Sequence, residues 1–444
     1  MRPNKDQKSS QTDLFRNRLE NIIDMRHELV ALSNKIDWQR LDEEFAKHYI
    51  DFGRPGIKVR LMVGLHLLKY MYALSDESVC EAWRENPYYQ YFCGEEFFQH
   101  KLPIERSSMT HFRNRVGDES LEVVLQESLR IAYETGALRL RDTARVVVDT
   151  TVQPKAISFP TDSKLRYKAI KELVDLAKSQ EVDLRQSYLR VGKTALIMSG
   201  RYRHAKQLKR AKKAEKKLKT WLGRVIRDIR RKIDGNDQLE QVFAASLSKA
   251  TKIWHQQRTC KNKILSWHAP EVECIGKGKA DKPYEFGCKV SVATNVNPAP
   301  GGNFVLHVKA LHGNPYDGHT LKGAIDNIEA IVGRAPERIY VDKGYRGHNY
   351  ENTMVVYKSG QKRGIHGTIK RELKRRTVVE PIIGHLKHDC LMVKNYLHKE
   401  VGDRINAVMA GIGYNFRKLL AWFRKLFCTL LQMLLFYQII KNLT

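Results

Sequence analysis

ARVVVDTTVQP, residues 144–154, marks a change in the character of the chain. The pattern before it is helical, whereas here three valines run together between an arginine and an aspartate. A β-branched run of this kind predicts a strand buried on both faces, not one that alternates between core and water. Four further runs share the composition: PYEFGCKVSVATN (283–295), NFVLHVKAL (303–311), RIYVD (338–342) and TMVVYK (353–358). A helical pattern, HTLKGAIDNIEAIVG, separates the third run from the fourth, and another helical region follows the fifth from residue 366. Three strands, helix, strand, short helix, strand, helix is an α/β order that predicts a mixed five-stranded sheet.

Upstream, residues 1–140 read as helices. IKVRLMVGLHLLKYMYAL has apolar residues at helical spacing and begins after the turn GRPG. Ser75 and Asp76 are placed to cap the next helix, and Asn86-Pro87 closes it and opens another. ERSSMTHFRNRVG then offers Ser107 or Ser108 as N-cap, a short helix carrying His111, Arg113 and Arg115, and Gly117 as its stop. A short basic helix after a run of short helices is the layout of a helix-turn-helix reader, with Arg113 and Arg115 as its DNA contacts. The alternative is a basic solvated face on a helical bundle.

Between the first two strands lies a basic helical insertion, 166–269. From Arg201 to Lys232 it holds fifteen Lys or Arg against two acids, Glu215 and Asp228. Leu208, Ala211, Leu218, Trp221, Leu222, Val225 and Ile229 still fall near one stripe, so the segment is an amphipathic helix and not a charged tail. Lys209, Arg210, Lys212, Lys213, Lys216 and Lys217 are its expected phosphate contacts. The remaining pieces are a sheet-bearing domain from 141–165 and 270–400, and a helical tail at 401–444. The tail includes LFCTLLQMLLFYQII, which is shorter than the roughly 20 residues a membrane span needs and reads as a packed or partner-facing helix.

At 444 residues the chain is long enough for two or three domains. Seventy-eight Lys+Arg against 49 Asp+Glu leave a formal charge of +29. Such an excess opposes folding by self-repulsion and points to a polyanionic partner, nucleic acid above all. The start, MRPNKDQKSSQTDLF, is polar and carries no apolar signal core. Seven scattered cysteines without a C-x-x-C pair speak against zinc and a disulfide framework, and for reduced thiols in a cytosol.

Asp149 ends the first strand run and Asp342 the fourth. If those strands are neighbours, both carboxylates project from adjacent C-terminal strand ends, where open α/β sheets place their sites. Glu380, in KRRTVVEPIIGHLKHD (374–389), would complete a trio from the helix after the fifth strand. Three carboxylates so close repel one another unless a cation stands between them. Magnesium prefers such oxygen ligands, and two ions about 3.5–4 Å apart serve phosphodiester displacement. Pro381 disfavours helical geometry at Glu380, so a helix is expected to restart with Pro381 at its first position. Asp317, just before a helical pattern, reads first as an N-cap, with a place beside the site as the lesser alternative. Glu372 lacks any flanking pattern, and His312, His319 and His385 read as loop or surface histidines. Gly344 and Gly347 fit a tight turn after Asp342, beside Tyr345, an aromatic able to stack on a base.

These residues resemble a family. The chain looks like an insertion-sequence transposase of the DDE class, in the branch of insertion-sequence family five, over most of its length. That branch carries its glutamate in Y-x-x-R-x-x-x-E-x-x-x-x-x-x-K. Arg376, Glu380 and Lys387 match it, while Leu373 stands where the tyrosine belongs. DKGY, from Asp342 to Tyr345, matches the family's D-x-G-Y/F. The resemblance implies a ribonuclease-H-like catalytic domain, with Asp149, Asp342 and Glu380 as catalytic residues holding two Mg2+, Mn2+ substituting. It further implies Arg376 and Lys387 on DNA, terminal inverted repeats and target DNA as partners, a homo-oligomer on paired ends, no membrane, and a nucleoid-associated cytoplasmic location. In that reading the insertion is tethered near Asp149, to clamp DNA over the site. Two rivals remain open: a ribonuclease-H-like nuclease without transposition, and a non-catalytic DNA-binding regulator.

Overall fold

The computed structural model describes residues 17–49, 56–257, 259–278, 283–348, 350 and 355–443. The polar N-terminal stretch, the turn at 53–55 and the first two residues of the run at 353–358 lie outside them. The helices ahead of the sheet are α1 (Leu19–Ile22), α2 (Glu28–Lys35), α3 (Trp38–Ala46), α4 (Val59–Met71), α5 (Asp76–Glu85), α6 (Pro87–Phe92), α7 (Ser107–Val116) and α8 (Glu119–Glu134). Local chemistry sets several of their ends. Ser75 Oγ accepts from Ser78 N–H at 3.0 Å, and Asn86 Oδ1 accepts from Tyr88 N–H at 2.9 Å with Pro87 as first helical residue. Gly117 stops α7 at φ 72°. No side chain caps the start of α7, where Ser107 is the first helical residue and not the cap.

There follow β1 (Arg145–Pro154), α9 (Asp162–Ser179), α10 (Leu189–His204), α11 (Leu208–Ile233), α12 (Asp237–His255), β2 (Glu273–Gly276), β3 (Tyr284–Asn295), β4 (Val305–Leu311), α13 (Asp317–Val332), β5 (Arg338–Val341), β6 (Val355–Lys358), α14 (Gly367–Lys374), α15 (Val379–Asp389) and α16 (Lys399–Leu443). The sheet has six strands where five were expected, because the short ECIG run forms β2 against the start of β3. The order is β2-β3-β1-β5-β6, with β4 also on β3. β1 pairs with β5 and β5 with β6 in parallel, and β3 pairs with β4 antiparallel, so the sheet is mixed.

The chain divides into two compact units, one of residues 1–154 and 288–444, the other of 155–287. In the first, a single apolar core joins the early helices to the sheet and α16, running from Leu29 and Trp83 through Val146, Val292 and Ile339 to Phe416. Two close approaches depend on glycine. A Cβ on Gly411 would stand 2.6 Å from Val308 Cγ1, and one on Gly413 would stand 2.7 Å from Tyr70 Cβ. Asn415 then pairs with Val305 as a strand would, donating to its carbonyl at 2.9 Å and accepting from its N–H at 2.8 Å. A second, smaller core of Val147, Val296, Tyr340, Tyr357 and Val379 lies beneath α14 and α15, and Leu373 packs on it. Beyond Leu420 the helix emerges, and Leu426, Leu430 and Met433 are exposed. Among the described residues no helix is long and apolar enough to cross a membrane.

The second unit packs α9, α11 and α12 around Ile170, Leu173, Leu222, Ile226, Ile229 and Phe243. The basic run of the insertion is two helices and not one, because the chain turns between them with Lys206 at φ 58°. Leu208 is exposed instead of joining the stripe, since it opens α11 a turn before the core begins at Ala211.

Candidate active site

In the parallel pairing of β1 with β5, Val148 is opposite Val341. The next residue on each side is an aspartate, so Asp149 and Asp342 stand side by side. Asp342 follows the end of β5, but Asp149 does not end its strand as expected, because β1 runs on past the end of β5 to Pro154. Val146, Val147 and Val148 are fully buried, as are Ile339, Tyr340 and Val341, which fixes the paired stretch of both strands to the core. The third acid arrives from the helical segment after β6. A single 3-10 turn, Arg375–Val378, links α14 to α15, and α15 begins at Val379. Pro381 is therefore its third residue and not its first. It still lies in the first turn, where a missing N–H costs little. Glu380, one residue earlier, points outward and is 62 % exposed.

One guanidinium meets all three acids. Arg376 Nη1 lies 3.7 Å from Asp149 Oδ2, and its Nη2 lies 3.7 Å from Asp342 Oδ1 and 3.9 Å from Glu380 Oε1. These are ion pairs, too long for hydrogen bonds. The carboxylates differ in exposure, with Asp149 at 20 %, Asp342 at 49 % and Glu380 at 62 %. Burial pushes the Asp149 carboxyl up to about 6, and the like charges of Asp342 and Asp317 add to it. The Thr150 N–H, which donates to Asp149 Oδ1 at 2.8 Å, and the Arg376 cation pull the other way.

Asp317 is a fourth acid at this place. It is the first residue of α13 and does not cap it; its Oδ1 accepts instead from Thr150 Oγ1 and Lys289 Nζ, each at 3.0 Å. Lys289 also donates to the Pro315 carbonyl at 2.7 Å, which ties the loop before α13 to β3. Gly344 allows a close approach here, since a Cβ would stand 3.0 Å from Asp317 Oδ2, whereas Gly347 adopts φ 70°. Local spacing carried no sign of the Lys289–Asp317 pair, because the two meet only across the folded sheet.

Other expected contacts are placed differently. Tyr345 is 1 % exposed, so it is a core residue and not a platform for a base. Burial, with Asp149 and Asp317 nearby, holds its hydroxyl well above the ordinary phenol range. Arg113 is also buried. Its Nη2 donates to Asp76 Oδ2 at 2.6 Å and its Nη1 to Oδ1 at 2.9 Å, which uses its fork in the fold and not on DNA. Arg115 is exposed and stacks 4.8 Å over the Tyr49 ring, at the rim of a cleft that also includes His48, Lys58, Lys101 and His111. Lys387 is half-buried on α15. Lys209, Arg210, Lys212, Lys213, Lys216 and Lys217 all lie on the exposed face of α11.

Glu372, which motif spacing passed over, is a buried anchor next to this place. It is 4 % exposed and accepts from Arg338 Nη1 at 2.6 Å and from the Tyr340 hydroxyl, with Arg145 Nε at 3.2 Å. This cluster fastens α14 to β1, which carries Asp149, and to β5, which Asp342 follows. It thereby sets where Arg376 and Glu380 emerge.

Residues 17–115 match the family described as "Transposase domain (DUF772)". The chain is also 52 % identical over 207 residues to "Uncharacterized protein ORF8 in nfe locus" of Rhizobium meliloti, which covers 47 % of this chain and the whole of that protein. No solved structure matches.

Proposed function

This chain belongs to a transposase family, and on that footing we propose that it cuts DNA at element ends and joins the freed 3′ hydroxyl to target DNA through Asp149, Asp342 and Glu380. The observation that carries the proposal is the convergence of three carboxylates, from three separate segments, on the one guanidinium of Arg376. A purely structural ion pair would not need three acids, two of them 49 % and 62 % exposed. The sheet order supports a ribonuclease-H-like catalytic domain: β4, β3 and β1 lie beside one another, and β5 and β6 extend the sheet in parallel.

The donor set fits magnesium in kind, since it is all carboxylate oxygen, the chemistry that ion prefers. When bound, magnesium would supply Lewis-acid stabilisation of the attacking and leaving oxygens of a phosphodiester. The remaining work is done by the protein. The Glu372 cluster and the β1–β5 pairing hold the acids in place. Arg376 neutralises them while no DNA is present. Its planar fork also suits a phosphate bidentately, and Lys387 adds a point charge on the same helix as Glu380. Hydrolysis and strand joining use the same carboxylates and differ only in whether water or a 3′ hydroxyl attacks.

The test replaces Asp149, Asp342 and Glu380 singly by Ala and measures nicking and joining of end DNA with Mg2+. Losing about 4 kcal/mol of transition-state stabilisation lowers the rate about a thousandfold. Each variant is expected to lose cleavage by that factor or more while still binding end DNA. A Glu380→Ala protein that nicks at a rate comparable to wild type removes Glu380 from the site. Cleavage without joining by the wild-type chain would favour the simple nuclease.

A further inference from the structure

Cys288, His312 and Asp403 each offer one donor atom, and the three atoms lie within 4.8 Å of one another. They come from three elements. The β3–β4 ladder pairs Lys289 with Leu311, so the next step along it sets Cys288 beside His312. Asp403 is in the first turns of α16. Cys288 is 0 % exposed and Asp403 2 %, while His312 is half-buried at the edge.

We propose that this cluster is a transition-metal site of the zinc class, with the Cys288 thiolate, the His312 imidazole and the Asp403 carboxylate as ligands and a fourth position facing the His312 side for water. Zinc takes sulfur, nitrogen and oxygen donors at about 2.0–2.3 Å in a tetrahedron, which sets ligand atoms about 3.3–3.8 Å apart. The three donors need to close by no more than about 1.5 Å to meet that geometry.

The surrounding amides are oriented for the task. The Gln153 carbonyl oxygen accepts from Asn406 Nδ2 at 2.9 Å, which turns its Nε2 toward Cys288 Sγ at 3.9 Å and the Asp403 carbonyl at 3.0 Å. Asn395 is fixed likewise: its Oδ1 accepts from Leu397 N–H at 2.9 Å, so its Nδ2 donates to Asp403 Oδ1 at 2.7 Å. Hydrogen bonds of this kind orient metal ligands and tune them. The ion would pin the start of α16 to β3 and β4, and with it the loop between α15, which carries Glu380, and α16. The residues are too far apart in the chain for any short metal motif, which is why cysteine spacing spoke against zinc.

The test uses the purified full-length protein, stripped with a chelator and titrated with Co2+ and then Zn2+. The wild type is expected to bind one Co2+ per chain with a thiolate-to-cobalt charge-transfer band, bleached by Zn2+ and untouched by Mg2+. Removing an outer hydrogen bond to a metal ligand typically costs 10–100-fold in affinity, and removing a ligand costs at least as much. His312→Ala, at a half-exposed position, is therefore expected to weaken binding at least tenfold, and Cys288→Ser to abolish the band. If Cys288→Ser does not fold, the wild-type titration and His312→Ala decide alone. Absence of the band in the wild type, its survival in a folded Cys288→Ser, or unchanged affinity in a folded His312→Ala overturns the site.

Discussion

Replacing Glu372 by Gln is expected to destabilise the chain more than any single surface change, and the structure says by how much. The carboxylate accepts two hydrogen bonds, from Arg338 at 2.6 Å and from the Tyr340 hydroxyl, and faces Arg145 at 3.2 Å. Breaking a fully buried pair by removing one partner costs about 3–5 kcal/mol. Here the acid side chain is 5 % exposed, but the two arginines are 25 % and 30 % exposed, so water recovers part of the loss on their side. Glutamine keeps the volume, yet its amide group turns a donor toward one of three donors. The expected cost is about 2–3 kcal/mol for Glu372→Gln, and about 1–2 kcal/mol for Tyr340→Phe, which removes one hydrogen bond to a charge. Guanidinium chloride unfolding of the full chain measures both, read as a shift in midpoint at constant slope. Because the cluster anchors the segment bearing Arg376 and Glu380, Glu372→Gln is also expected to slow cleavage under conditions where the protein remains folded. A Gln variant within about 0.5 kcal/mol of wild type, the usual range for surface substitutions, refutes the reasoning.

Three other outcomes follow from the same kind of accounting. Burial depresses His66 to about 3 and His307 to about 4, so the folded state binds fewer protons than the unfolded chain and stability falls as pH drops below 6.5. Each histidine is expected to remove about 2 kcal/mol between pH 7 and pH 5, and His66→Gln to cut the difference by that amount; a variant with the wild-type pH profile of unfolding contradicts this. Gly413→Ala drives a Cβ to 2.9 Å from the Tyr70 carbonyl carbon and is expected to cost about 1–3 kcal/mol, so an unchanged melting temperature tells against the close approach of α16 to α4. Changing Lys209, Arg210, Lys212, Lys213, Lys216 and Lys217 together to Gln is expected to flatten the slope of log affinity against log salt by several units, at about 0.9 per lost phosphate contact, with little change in preference between DNA sequences. An unchanged slope in the folded variant makes α11 a merely solvated face.

What was legible in the sequence was whatever a few neighbouring residues determine. Three valines between Arg145 and Asp149 point to a buried strand, because β-branched side chains favour extended backbone and the run is short, and Ser75, Asn86 and Gly117 act within one turn. Arg113 shows where composition misled although the signal was present. Met109, Phe112 and Val116 recur at helical spacing, and Arg113 lies within that stripe; only the charge argued for water, and Asp76 answers it inside. Lys289 with Asp317, and Cys288 with His312, are a different case. Each pair exists because β3 and its neighbours adopt one register, and a one-residue shift of β3 would turn Lys289 and Cys288 to the opposite faces, away from Asp317 on α13 and from His312. No window of sequence contains that choice. Arg376 belongs to both classes. Its spacing from Glu380 is local, and it suffices to predict that the two meet. Its reach to Asp149 and Asp342 depends on the β1–β5 register, on the 3-10 turn that ends at Val378, and on Glu372 holding α14 against both strands. In the proposed reaction an arginine so placed would not grip a phosphate and neutralise three acids with the same nitrogens, so a cation on the acids and the turn of this guanidinium toward DNA would be coupled in free energy, and coupling of that kind is reciprocal.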